Sequence, residues 1–210
     1  LSGATLIDSC TIVNVGTETG GIVVTGGVVT NVSGATISSS FAAIYGPSGS
    51  SGGTVVNAGL LAGPPSAFGA GIVLFSGGTV TNTATGTIAA SEGIYISGAT
   101  TTANTGAVFN SGTILGYVHQ GVELHEGGSV TNAAGATIAG TYSGIDIEFQ
   151  NAAGQSATVF NQGVVVGTTG YGVQLRSAGS GALTNAAGGV ISGGPGGVYA
   201  TGDRKGARVN

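Results

Sequence analysis

Charge is scarce in this sequence. Only 6% of its 210 residues are Asp, Glu, Lys or Arg, against about a quarter in an ordinary globular domain. Of the four basic side chains, Arg204, Lys205 and Arg208 crowd one end, and Arg176 stands alone. That is too few cations to neutralise a run of phosphates, so nucleic acid is excluded as a partner. Cys10 is the only cysteine. It can form neither an internal disulfide nor a cysteine-based zinc site, and it reads as a small inert residue in or near the core. There is no Met, no secretory leader, and no apolar run of the ~18 residues a membrane-spanning helix needs. A chain beginning Leu1-Ser2-Gly3 is expected to be a processed product or a fragment of a longer protein.

What abounds is glycine, 44 residues of it, roughly three times the usual share. Collagen needs Gly at every third position, and that period is absent. Disorder needs low hydrophobicity, whereas 41% of this chain is hydrophobic and its Val, Ile and Leu recur at fixed places.

The recurrence is a repeat. Gly121–Gly140 and Gly71–Ala89 read almost alike, and Gly21–Ser38 and Gly172–Ser192 follow the same scheme. Each turn opens on a small residue followed by an aliphatic one: Gly21-Ile22, Ala43-Ile44, Gly71-Ile72, Gly93-Ile94, Gly121-Val122, Gly144-Ile145, Gly172-Val173 and Gly197-Val198. The openers are spaced 22, 28, 22, 28, 23, 28 and 25 residues apart, so short and long turns alternate. Turns of this length hold three short strands but not a βαβ unit, which takes about 30 residues or more. No segment has helical periodicity, and Gly and β-branched residues disfavour helix. The expected fold is all-β: a right-handed parallel β-helix, or β-solenoid, of about eight turns. Residues 1–20 are expected to form an irregular or partial first turn, and residues 21–210 the repetitive β-helix. In the last turn Asn210 falls where a ladder Asn belongs, which puts Arg208 at an inward position.

Each turn carries an Asn at the end of a β-like run: Asn31, Asn57, Asn82, Asn110, Asn132, Asn161 and Asn185. Alternation puts them on the inward face. A lone buried amide is costly, but amides stacked once per turn can satisfy one another, so these seven read as a structural ladder. The residues before them point outward: Thr30, Val56, Thr81, Phe109, Thr131, Phe160 and Thr184. The apolar ones fall on long turns, which carry extra residues at 46–53, 98–106 and 150–157. Either those loops fold over Val56, Phe109 and Phe160, or the side chains form an exposed binding stripe.

The densest titratable group lies on the opening strands of three successive turns. Two positions past the opener stand Glu123, Asp146 and Gln174; four positions past it stand His125, Glu148 and Arg176. Neighbours in a column should lie roughly 4.8 Å apart. Glu123 beside Asp146 makes a carboxylate pair or shares a Ca²⁺; His125, Glu148 and Arg176 make a ladder of alternating charge. The simpler alternative is a solvated face with cross-strand ion pairing. Glu123, His125, Asp146, Glu148 and Arg176 are thus the candidate glycan- or cation-binding residues. No catalytic residue, metal site or cofactor is assigned. His119 and His125 lack a recognised metal spacing, and the Gly-rich stretch 46–53 lacks the Gly-Lys-Ser/Thr ending of a phosphate loop. Tyr45 and Tyr95, with Tyr199 beyond, form an outward aromatic column that Val73 interrupts.

Runs such as Gly77–Asn82 and Gly127–Gly140 resemble passenger regions of Gram-negative autotransporters and related haemagglutinin-like surface proteins. The likeness spans about residues 21–200 and is specific for architecture rather than activity. It implies export to the cell surface or medium of a Gram-negative bacterium, and a non-catalytic stalk for adhesion or display. It also implies a host-surface or matrix glycan or protein as partner, with membrane attachment only through a C-terminal barrel outside these residues. Polysaccharide lyases and hydrolases also use β-helices, so a polysaccharide-binding or polysaccharide-cleaving role for the cluster is the alternative. Their Asn-Thr-Asp, Asp-Asp, Gly-His-Gly and Arg-Ile-Lys runs do not occur here.

Overall fold

The computed structural model describes residues 4–6, 10–66, 68–98, 105–148, 156–176, 180–201 and 208–209. Among them the regular structure is entirely β-strand. The strands form three parallel sheets of nine, nine and eight strands, and each strand pairs with its equivalents one turn before and one turn after. This is a parallel β-solenoid. Seven full turns run from Ile22 to Gly193, preceded by a shorter turn and followed by the start of another, against the eight or so expected.

The pairing register is the register of the openers. Ile22, Ile44, Ile72, Ile94, Val122, Ile145, Val173 and Val198 pair in succession along the first sheet. The second sheet aligns the ladder asparagines. The third aligns Ile37, Leu61, Ile88, Ile114, Ile138, Val165 and Ile191. These columns fill the interior, where most of their members have no exposed surface. Each such side chain contributes about 1.5–3 kcal/mol relative to an exposed one, and stacking gives it an equivalent neighbour above and below.

Glycine at the openers follows from how closely the coils approach. A Cβ on Gly93 would lie 2.2 Å from the carbonyl oxygen of Gly121 in the next turn. Behind the ladder, a Cβ on Gly86 would lie 2.2 Å from Oδ1 of Asn82. Any larger residue at either place has to push the turns apart.

The asparagines hydrogen-bond head to tail. Nδ2 of Asn31 donates to Oδ1 of Asn57 at 2.9 Å, and Asn57, Asn82, Asn110, Asn132 and Asn161 repeat the step at 2.8–2.9 Å up to Asn185. The same nitrogens also reach turn carbonyls, as Asn57 does those of Gly59 and Thr87. Asn14, which sequence spacing leaves out, begins the ladder: its Nδ2 donates to Asn31 Oδ1 at 2.8 Å. In residues 1–20, Ala4–Leu6, Thr11–Asn14 and Thr17–Thr19 each pair with the turn above. At the other end the expected register is off by one. Arg208 pairs with Ala182 and Val209 with Leu183, so Val209 rather than Arg208 takes the column position of Leu183.

Candidate functional site

The outer surface of the first sheet is divided in two. Its earlier strands, Ala42–Gly46, Ala70–Leu74 and Glu92–Ile96, carry a second apolar cluster outside the solenoid. Ala42, Ala70 and Val73 are buried there beneath Tyr45, Phe75 and Tyr95. Its later strands, Val122–Leu124, Ile145–Glu148 and Val173–Arg176, carry charge.

The apolar half is a continuous row of rings. Phe41 meets Tyr45 at 5.7 Å between centroids, Tyr45 meets Phe75 at 6.0 Å, and Phe75 meets Tyr95 at 5.6 Å, all edge to face. Tyr95 then meets the imidazole of His125 at 4.9 Å. In register Val73 does stand between Tyr45 and Tyr95. Phe75, two residues further along the same outward face, closes the gap between Tyr45 and Tyr95. Tyr199 lies further along the same column, three strands beyond Glu123, and stacks on Tyr171. Beside the row lies a cleft of about 260 Å³ lined by Phe41, Phe68, Phe75, Tyr95, Glu92 and His119, among others. Phe68 stands at its rim, 86% exposed.

The charged half brings Glu123, His125, Asp146, Glu148 and Arg176 into one network. His125 lies between two carboxylates: Nε2 is 2.5 Å from Glu123 Oε1, and Nδ1 is 2.7 Å from Glu148 Oε1. Arg176 binds Asp146 through both Nε and Nη2, and its Nη2 is 3.2 Å from Glu148. The alternating ladder of His125, Glu148 and Arg176 is therefore present. Glu123 and Asp146, though paired in register, do not act as a carboxylate pair. Glu123 is held by His125, and Asp146 by Arg176.

A solvated strand face does not describe this site. Asp146 points outward, yet it is 1% exposed. The carboxyl that sequence spacing missed is Glu92. It sits one residue before the opener Gly93, whereas the columns were counted forward from the opener. Burial, and then the negative charge of Glu123, push its carboxyl up to about 9, so at neutral pH it keeps its proton. Burial alone would raise Glu123, but hydrogen bonds from His125 and Glu92 hold it below the ordinary carboxylate range. For Asp146 burial outweighs Arg176 and the net shift is upward. For His125 burial works against protonation, but the bond to Glu123 and the surrounding carboxylates raise it overall.

Glu123, His125 and Glu148 have the donor chemistry of a metal triad, their ligand atoms lying within 4.8 Å of one another. Their arrangement favours a proton instead. The two carboxylates address opposite nitrogens of one ring, whose lone pairs diverge. One ion could not take the ring and both carboxylates unless the ring turned. With both nitrogens facing carboxylates, the imidazole suits the doubly protonated cation.

The outward residues before the ladder remain separate. Phe109 is 45% exposed, Phe160 is half-buried, and Thr131 lies between them in register. The long-turn loops expected to cover them, at 98–106 and 150–157, lie mostly outside the described residues.

Compared with protein-family models, with curated proteins and with solved structures, the chain has no significant match.

Proposed function

We propose that this chain is a non-catalytic segment of an adhesive surface protein whose first-sheet outer face binds glycan. The observation that carries the proposal is the unbroken row Phe41, Tyr45, Phe75 and Tyr95, running beside a cleft and ending on a charged network. Ring faces pack against the apolar faces of sugars, and carboxyl and imidazole groups at the row's end can meet sugar hydroxyls. The rest of the chain is a scaffold, each of its repeated features explained by packing. A solenoid offers such a face over several turns at once. The likeness of Gly127–Gly140 and its equivalents to autotransporter passenger regions supports surface display in a Gram-negative bacterium.

One observation favours the polysaccharide-cleaving alternative. Glu92 and Glu123 have their proton affinities driven apart, as acid and base are in hydrolases. Geometry argues against it. Glycosidase carboxyls stand about 5 Å or more apart so that the sugar, or the sugar and a water, fits between them, whereas Glu123 is already engaged by His125 at 2.5 Å. The test is a panel of immobilised polysaccharides, with soluble products assayed after long incubation. Retention without shortened chains is expected. If the intact segment releases oligosaccharides and a variant replacing Glu123, His125, Asp146 and Glu148 together does not, the scaffold proposal fails.

A further inference from the structure

Charge around Glu92, which lines the cleft, does not balance. Four carboxyl groups, those of Glu92, Glu123, Asp146 and Glu148, are met by one imidazole and one guanidinium. Arg176 is committed to Asp146 and Glu148, and His125 to Glu123 and Glu148. The charges acting on Glu92 are those of two other acids, Glu123 and Asp146, and its Oε1 is buried without a hydrogen bond. A carboxyl so placed stays neutral by keeping its proton, which here does the work of a missing cation.

The surroundings select the kind of cation. Hard metal ions need six or more oxygen ligands. Glu92 instead lines the cleft with Phe41, Phe68, Phe75 and Tyr95, and ring faces attract organic cations. We infer that the cleft recognises the protonated amino group of an amino sugar, with the sugar ring against the aromatic row and the ammonium directed at Glu92. This rests on the glycan reading of the same face and adds that the bound residue carries a free amine rather than an acylated one. Acidic sugars are disfavoured, because their carboxylates would approach Glu92 and Glu123 while Arg176 is already engaged.

Binding exchanges one cation for another. The Glu92 carboxyl gives its proton to solvent, and the resulting carboxylate pairs with the ammonium. The groups acting on Glu92 are Glu123 and Asp146 from the next two strands of the sheet; Tyr95, on its own strand, and His119 line the same cleft. The two carboxylates favour retention of the proton until another cation arrives.

Isothermal titration with glucosamine oligomers, their N-acetylated counterparts and tetramethylammonium tests this at pH 5 and pH 7. The free-amine oligomer should bind at least tenfold more tightly than the acetylated one. Its affinity should rise with pH, approaching tenfold per unit, with a proton released on binding, and tetramethylammonium should compete. Glu92→Gln keeps the size and polarity but cannot ionise; it should erase the amine preference and the pH dependence, with the acetylated oligomer still bound. Phe68→Ala, at an exposed rim position, should weaken both oligomers without changing the melting temperature. Equal binding of the two oligomers overturns the inference and leaves the glycan reading standing. Binding of tetramethylammonium alone, with neither oligomer, overturns both.

Discussion

Truncating Asn110 to alanine removes the middle of the amide ladder, and its cost can be worked from the bonds lost. Asn110 is 1% exposed. Its Nδ2 serves Asn132 Oδ1 at 2.8 Å, the Thr137 carbonyl at 3.0 Å and the Gly112 carbonyl at 3.2 Å. Its Oδ1 accepts from Asn82 at 2.9 Å and from the Gly112 amide at 3.2 Å. Two N–H groups serve three acceptors, so these bonds are partly shared and do not simply add. Asn82 keeps two backbone acceptors, Gly86 and Thr113. Asn132 Oδ1, in a fully buried place, loses the donor that Asn110 supplied. Each net bond is worth about 1 kcal/mol, and a stranded buried acceptor costs about 1–3 kcal/mol, so we expect a loss of about 3 kcal/mol. For a chain of this size that is roughly a 6–12 °C drop in melting temperature, read by circular dichroism. Thr131→Ala, on the outward side of the same sheet, should cost under about 0.5 kcal/mol. Asn185→Ala, at the exposed end of the ladder, should cost about 1 kcal/mol because water can replace its partners. The double variant Asn82→Ala/Asn110→Ala should cost less than the sum of the single variants, since they share a bond. Equal shifts for Asn110→Ala and Thr131→Ala would refute the ladder as a source of stability.

Other expectations follow from the same geometry. The folded state holds the Glu92 proton up to about pH 9, against 4.5 for an ordinary Glu. Its stabilising contribution is therefore complete below about pH 4.5 and drains away as pH rises toward 9, by at most ~1.4 kcal/mol per unit. Urea denaturation at pH 5, 7 and 9 should show a shallower decline for Glu92→Gln; parallel declines would count against a buried neutral Glu92. The His125 imidazole should titrate above 6.5 in a proton NMR series, and Glu123→Gln should move its midpoint down. Gly93→Ala, whose new methyl would meet the Gly121 carbonyl oxygen, should destabilise by more than about 2 kcal/mol. Gly34→Ala, with open space around it but φ of +79°, should cost about 1–2 kcal/mol; the reverse order of melting temperatures would contradict the inter-turn clash.

The architecture was legible because each level of the sequence repeats the same instruction. A Gly-aliphatic opener, an inward Asn and a later Ile recur at intervals that become the strand register itself. Asn14 escaped notice because its turn reaches Gly21 in fewer residues, and only pairing with Asn31 reveals its column. The site was half legible. Alternation placed Glu123, His125, Asp146, Glu148 and Arg176 on one face, but it says nothing about what covers that face. Gln120 and Ser143 do part of that covering: Gln120 acts on the buried Asp146 carboxyl, and the Ser143 hydroxyl accepts from Gln174. They stand in the position immediately before the opener, as Glu92 does, so a column counted backward as well as forward would have exposed all three. Phe75 was hidden for a similar reason. A comparison restricted to Val73's own level does not reveal that a ring two residues along can bridge the gap.

The uneven turn lengths make this solenoid respond unevenly to tension. Its inter-strand hydrogen bonds join one turn to the next, so a force that separates the two ends peels the terminal turn while the turns beneath stay intact. Each peeled turn frees 22 or 28 residues in alternation through most of the repeat, about 75 and 95 Å of slack at the extended limit. A tethered segment under flow would lengthen in these two step sizes by turns. Each step would dissipate load while the turns deeper in the stack remained folded.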